Sequence, residues 1–181
     1  MKIHIIGGPG SGKTTLARIM SNHLGCNTLN LDDVAYNNGD FDSPTAREYR
    51  LNLVSRFTKQ EHWIIEGVYF SWVGSSFKHC DRIIVLTLAH DLRKNNILNK
   101  LSTRTNLTIE QLEKQKARLL KSNDEYDDLF KSRVSGFLKK FESKVVKVDG
   151  REFDLQELLL SAKVAPSKQA TWGGEFESHN C

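Results

Sequence analysis

The sequence predicts an α/β protein built on a parallel β-sheet, and three observations carry that reading. Five short β-like runs, residues 2–6, 28–31, 63–66, 82–88 and 144–148, alternate with mostly helical stretches. Two of them, "WIIEG" and "RIIVLTL", are continuously apolar rather than alternating, as strands covered on both faces are. Between the first run and the first helix stands a glycine-rich turn.

The elements follow in order. The first strand leads into a helix that starts at Lys13 or Thr14, runs to Leu24 and stops at Gly25, a residue suited to helix C-termini. Ser43 and Pro44 open a second helix as N-cap and first-turn proline. Thr108 and Gln111 have capping-box spacing ahead of a long helical region. There Leu112, Leu119, Leu120, Tyr126, Leu129, Phe130, Val134, Phe137, Leu138 and Phe141 recur at steps of mostly three and four, a core-facing stripe. A break near residues 122–124 divides that region into two helices. From Ala165 the text turns to Pro, Gly and polar residues without periodicity. Residues 164–181 therefore read as a tail, flexible unless Trp172 or Phe176 docks, and residues 1–163 as one domain.

Composition bounds the function. A chain of 181 residues with 39% hydrophobic and 27% charged residues suits one domain with a full core. A formal net charge of +4 suits a polyanionic ligand such as a nucleotide without implying DNA or RNA. Cys26, Cys80 and Cys181 are odd in number and far apart, so they read as ordinary thiols rather than a zinc site or disulfide framework. No apolar run is long enough to span a membrane, and the N-terminus enters a strand at once. A cytoplasmic location is the expectation, and the glycosylation sequon at Asn106 then means nothing.

The chemistry begins at "KIHIIGGPGSGKTTLA". Gly7, Gly12, Lys13 and Thr14 fit G-x-x-x-x-G-K-[ST], whose backbone N–H groups turn inward around phosphate oxygens at a helix N-terminus. Residues Gly8, Pro9, Gly10, Ser11, Gly12, Lys13, Thr14 and Thr15 are the expected cradle. Lys13 supplies a point charge to the β- and γ-phosphates and Thr14 a hydroxyl to Mg²⁺. The dinucleotide pattern G-x-G-x-x-G fails, because counting from Gly8 and Gly10 the third glycine position holds Lys13.

Carboxylates come next, in "LNLDDVAY" and "WIIEGVY". Each follows an apolar strand, so Asp32, Asp33 and Glu66 should project at the carboxyl edge of the sheet beside the phosphate loop. The plain alternatives are a turn or N-cap for the aspartates and a buried salt bridge for Glu66. Tyr36, Asn37, Phe41, Arg47, Tyr69 and Trp72 are candidates to line a phosphoryl-acceptor site, since aromatics with an arginine suit a planar or phosphorylated molecule.

Together "IHIIGGPGSGKTTLA", "LDD" and "WIIEGVYFSWVG" resemble the small P-loop proteins known as adenylate-kinase-related or topology-modulation proteins, within the nucleoside monophosphate, nucleoside and small-alcohol kinases. The resemblance covers roughly residues 1–148. It implies a five-stranded parallel sheet of order 2-3-1-4-5, with a helical lid, about residues 91–125, between strands four and five. It implies ATP and Mg²⁺ as cofactors, Asp32 holding Mg²⁺ through water, and Asp33 orienting or deprotonating an acceptor hydroxyl. Where nucleoside monophosphate kinases end the third strand in Asp-Gly, this chain has Glu66-Gly67.

The lid departs from the pattern. "DLRKNNILNKLSTRTN" keeps Arg93, Lys100 and Arg104 but has Asn95, Asn96 and Asn99 where similar sequences are more basic. Arg93 and Arg104 are the expected catalytic arginines, with stacking on adenine an alternative for Arg93. Arginine clamps are worth orders of magnitude in phosphoryl transfer, so a thin lid points to slow turnover, an unusual substrate or no transfer.

The leading expectation is a Mg-ATP-dependent kinase for a nucleotide, nucleoside or other small metabolite, as a monomer or homodimer. The alternative is an NTP-binding regulatory or nucleic-acid-associated protein using Lys139, Lys140 and Lys144 in "KSRVSGFLKKFESKVVK". A pure NTPase is the third class.

Overall fold

The computed structural model describes residues 1–37, 41–105 and 107–163. Trp172, Phe176, Cys181 and the whole expected tail lie outside the described residues, as does Asn106. Five strands, β1 (Lys2–Gly7), β2 (Asn27–Asn30), β3 (Trp63–Gly67), β4 (Arg82–Thr87) and β5 (Val145–Asp149), form one parallel sheet. Its order is β2-β3-β1-β4-β5, the order the resemblance implies.

The continuous apolar runs are explained by two core layers. In β4, Ile83 and Val85 face a layer with Ile6, Trp63, Ile65, Phe77 and Leu138. Ile84 and Leu86 face the other, with Ile3, Ile5, Leu16, Met20 and Leu158. Alternate side chains thus enter opposite layers, and neither face is left polar.

Helices connect the strands: α1 (Lys13–Leu24), α2 (Leu31–Ala35), α3 (Arg47–Phe57), α4 (Gly74–His79), α5 (His90–Ser102), α6 (Ile109–Leu129), α7 (Ser135–Leu138) and α8 (Leu155–Lys163). Helix α1 ends as expected, with Gly25 left-handed at φ 61° and its N–H on the Ser21 carbonyl. The capping box also forms. Thr108 accepts from the Gln111 N–H at 3.2 Å, and the Gln111 side chain accepts from the Thr108 N–H at 2.9 Å.

Two boundaries need correction. Ser43 and Pro44 do not open a helix: α3 starts at Arg47, and Pro44 bridges Tyr36 in antiparallel fashion. Thr45 instead satisfies the exposed end of α2, its hydroxyl donating to the Val34 carbonyl at 2.6 Å and its N–H to Ala35 at 2.9 Å. The helix break near residues 122–124 is absent too, because α6 runs unbroken to Leu129 and gives way to a π-helical turn at Phe130–Val134. Asn123, a weak helix former, is fully buried and bonded to Arg93, so tertiary packing overrides its propensity. Helix α2 was not foreseen; Asn30 caps it by accepting the Asp32 N–H at 2.8 Å. Among the described residues, no helix is long and apolar enough to cross a membrane.

Candidate functional site

The turn from β1 into α1 wraps over the carboxyl edge of the sheet. Gly10 and Gly12 hold positive φ, 73° and 93°, which only glycine adopts without strain. A side chain on Gly10 would also strike the Arg93 backbone carbonyl, so α5 lies directly on the loop. The Asn96 amide donates to the Gly10 carbonyl at 2.9 Å. Asn96 therefore braces the loop. Lys13 is buried, its Nζ donating to the Gly8 carbonyl at 2.8 Å. Burial pushes its pKa down, against the nearby charges of Glu66 and Asp32.

Two of the three expected carboxylates, Glu66 and Asp32, come together beside Lys13; Asp33 does not join them. Glu66 at the end of β3 is only 3% exposed and accepts from the Thr14 hydroxyl at 2.8 Å. Burial raises its pKa, opposed by Lys13 and by the Thr14 bond. Asp32 accepts from the Tyr69 hydroxyl at 2.9 Å, while Asp33 is exposed on α2. Burial first, then the Asp32 charge and the neighbouring Tyr36 hydroxyl, raise the Tyr69 pKa, so Tyr69 stays a neutral donor. Among the described residues no group of three acidic, imidazole or thiol side chains forms a ready metal cage. The oxygen set of Thr14, Glu66 and Asp32 nevertheless fits Mg²⁺, which binds through one or two carboxylates, water and substrate phosphates.

Beyond Asp32 a row of aromatic side chains continues across the edge. Tyr69 lies 5.2 Å from Trp72, and Tyr36 lies 4.9 Å from Phe41, centroid to centroid. Asn37 pins this segment, donating to the Ser43 hydroxyl at 2.9 Å. Arg47 is exposed at the start of α3; the arginine over Trp72 is Arg50, 5.5 Å from the ring centroid. At the other end Arg118 of α6 donates to the Tyr36 hydroxyl at 2.7 Å and the Phe41 carbonyl at 2.8 Å. It covers both rings, at 5.0 and 4.6 Å. An ion pair from Lys114 to Asp42 fastens α6 to the same segment.

Helices α5 and α6 hold the remaining candidates. Arg93 is 3% exposed and points into α6, donating to Asn123 Oδ1 at 2.6 Å, the Leu88 carbonyl at 2.8 Å and Asp127 Oδ1 at 3.0 Å. Tyr126 lies under its guanidinium at 5.3 Å. Arg104 donates to Gln115 at 2.7 Å, tying the connection between α5 and α6 to the start of α6. Lys100 is exposed, yet close enough to Lys13 and Glu66 to bias both electrostatically. On the other flank of the loop a cleft of about 300 Å³ is lined by Thr15, Leu92, Asn96, Gly150, Arg151 and Phe153 among others. Arg93 does not line it.

Sequence reasoning missed Arg50, Arg118 and the Gly150–Phe153 turn. Arg50 lies one helical turn from Arg47, and "VDGREFD" follows the last strand as the other site segments follow theirs, so both left a signal. Arg118 left none. Of the lysines considered for nucleic acid, Lys144 is held by three backbone carbonyls at the end of α4, those of Phe77, Lys78 and Cys80, at 2.8–3.4 Å.

No family model matches the chain. One curated relative, a protein of Sulfurisphaera tokodaii named "Putative adenylate kinase", is 31% identical over 94 residues. The match covers 48% of this chain and 48% of that protein, so the chain spans about half the length of the curated relative it matches. Among solved structures, a shikimate kinase from Acinetobacter baumannii in complex with shikimate superposes with a TM-score of 0.56 at 16% identity, over 90% of this chain and 94% of that one. A gluconokinase from Sinorhizobium meliloti gives 0.50 at 14% identity, over 89% and 88%. With its sheet order and its phosphate loop between β1 and α1, the chain has the fold of the P-loop kinases.

Proposed function

We propose that the chain is a Mg-ATP-dependent phosphotransferase acting on a small-molecule acceptor. One observation carries the reading: buried Lys13, the Thr14–Glu66 bond and Asp32 converge at the mouth of a phosphate loop, opposite an aromatic wall able to hold a second molecule. A binding protein needs the loop alone; the acidic side and the wall suit transfer.

In this reading the loop amides and Lys13 hold the β- and γ-phosphates, and the cleft beside Arg151 and Phe153 takes the nucleoside end. Thr14, with Glu66 and Asp32 through water, would hold Mg²⁺, which neutralises charge on the phosphates. Asp33 orients the acceptor hydroxyl and takes its proton. Lys100, exposed on α5 and within electrostatic reach of Lys13, offers a cation to the moving phosphoryl group. The hairpin of α5 and α6, with residues 91–125, serves as the lid, and Arg93 and Arg104 set its position.

The test is incubation with Mg-ATP and pooled nucleoside monophosphates, nucleosides, polyols and sugar acids, following ADP release and new phosphorus signals by NMR. Acceptor-dependent ADP release, lost by roughly 10³-fold in Lys13→Ala, is the expected result. ADP release that no acceptor stimulates would make the chain an NTPase and overturn the reading.

A further inference from the structure

An unbroken row of polar contacts runs from the helix hairpin to the carboxylates beside the phosphate loop. Arg118 of α6 donates to the Tyr36 hydroxyl at 2.7 Å. The Tyr36 hydroxyl in turn hydrogen-bonds that of Tyr69. Tyr69 donates to Asp32 Oδ1 at 2.9 Å, and Asp32 lies within electrostatic reach of Lys13 and Glu66. The row crosses distant parts of the chain: Asp32 and Tyr36 belong to α2 and its end, Tyr69 to the segment after β3, and Arg118 to α6.

The chemistry of its two ends fixes the direction of every bond between them. A guanidinium only donates and a carboxylate only accepts, while a phenol can do one of each. Each phenol must therefore accept from the arginine side and donate toward Asp32. Bonds aligned in this way polarise one another, by about 10–30% per bond. If Arg118 leaves Tyr36, nothing holds the Tyr36 proton toward Tyr69, and the bond to Asp32 weakens with it. Helix α6 is seated on this segment by further contacts. Arg118 also donates to the Phe41 carbonyl at 2.8 Å and covers the Tyr36 and Phe41 rings, and Lys114 pairs with Asp42.

We propose that Tyr36 and Tyr69 are positioning residues: they transmit the seating of Arg118 and α6 to Asp32, and so set that carboxylate for nucleotide bound with Mg²⁺. This rests on the functional reading above for the role of Asp32. It adds a path by which the hairpin acts on the Mg²⁺ side of the site through hydrogen bonds of the protein alone. The Tyr69 bond holds Oδ1 and with it the plane of the carboxylate. Neither phenol moves a proton in the transfer.

Calorimetric titration of the full chain with a non-hydrolysable ATP analogue, once with excess Mg²⁺ and once with a chelator, tests this. Tyr→Phe removes a hydroxyl and keeps the ring, so the packing on Trp72 and Phe41 stays. The native chain should bind the analogue more tightly with Mg²⁺. Tyr36→Phe, Tyr69→Phe and Arg118→Gln should each cut that Mg²⁺ advantage by roughly threefold to tenfold. Binding in chelator should stay within about twofold of native, which also reports that each variant is folded. The decisive reading is the double variant: once Tyr69 is Phe, Arg118→Gln should cost less than about twofold more. An advantage unchanged in the variants, losses that multiply in the double variant, or equal losses with and without Mg²⁺ overturn the inference. In those cases the native preference for Mg²⁺ leaves the functional reading standing. A native chain that does not bind the analogue, or binds it equally well without Mg²⁺, fails that reading and the inference with it.

Discussion

The two flanks of the sheet edge are built by opposite means. On the nucleotide flank, residues 7–14 form a ring of backbone whose shape is fixed by glycine torsions and by the first turn of α1. On the flank proposed for the acceptor no short stretch suffices: Asp32 and Tyr36 follow β2, Tyr69 and Trp72 follow β3, Arg50 comes from α3 and Arg118 from α6. The first flank presents main-chain N–H groups, which in the proposed function any nucleotide phosphate meets in the same way. The second presents side chains, which are free to differ between proteins that share the fold. In the proposed function, general chemistry is thus written in the backbone, and choice of acceptor in packed side chains.

Separating the flanks experimentally gives the largest expected effect. Asp33→Asn removes the proposed proton acceptor and leaves the loop untouched, so kcat should fall by about 10²–10⁴ with nucleotide affinity unchanged. Asp32→Asn should instead weaken both, because Asp32 lies within electrostatic reach of Lys13 and also anchors Tyr69. Steady-state kinetics with nucleotide and acceptor varied in turn reads the two patterns. If Asp33→Asn weakens nucleotide binding as much as turnover, the flanks are not separable in this way.

Arg93 joins the flanks, and the structure makes it a strut. Its guanidinium is buried among Asn123, Asp127, the Leu88 carbonyl and Tyr126, while its backbone carbonyl packs on Gly10. Arg93 is buried but Asp127 is half-exposed, so losing these bonds, with the buried Asn123 oxygen left unsatisfied, costs about 1–3 kcal/mol, and Arg93→Ala should lower the urea midpoint. A phosphate-binding arginine would behave differently: its removal would depress kcat in a chain of native stability. Urea denaturation alongside kinetics on the folded variant distinguishes the two.

The contrast between flanks also explains what the sequence discloses. Gly7, Gly12, Lys13 and Thr14 are legible because their spacing is local and the strand before them is buried on both faces. Asp32 and Glu66 are legible because a carboxylate at a strand end lands on the same edge whatever follows. The role of Arg93 depends on Asn123 and Asp127, thirty or more residues on. Arg118 meets Tyr36 across 82 residues, through the packing of α6. The start of α3 was misplaced for a similar reason: Ser43-Pro44 is a good local signal, and Thr45 is drawn instead to the carbonyls of α2. Local chemistry survives translation into structure; partners brought together by helix packing do not appear in the text at all.

Beneath the acceptor flank lies a group whose titration reports on the layer that supports it. His4 of β1 is fully buried, stacked on Phe77 of α4 at 4.1 Å, with Nδ1 2.7 Å from the Ser76 hydroxyl and Nε2 without a partner. Burial lowers its pKa from 6.5 to about 3, so the folded chain keeps the ring neutral across mildly acidic pH. The unfolded chain binds that proton near pH 6.5, and stability is then drawn away as pH falls from there toward about 3. The slope for one proton is about 1.4 kcal/mol per pH unit, or roughly 2 kcal/mol between pH 6.5 and 5. His4→Leu should remove that component, because the Ser76 hydroxyl keeps its own acceptor, the Val73 carbonyl at 2.7 Å. Urea melts at pH 7 and pH 5 are therefore expected to differ less for the variant than for the native chain. Equal differences would mean that His4 takes up its proton in the folded state, and that the layer under the acceptor wall opens more readily than its packing implies.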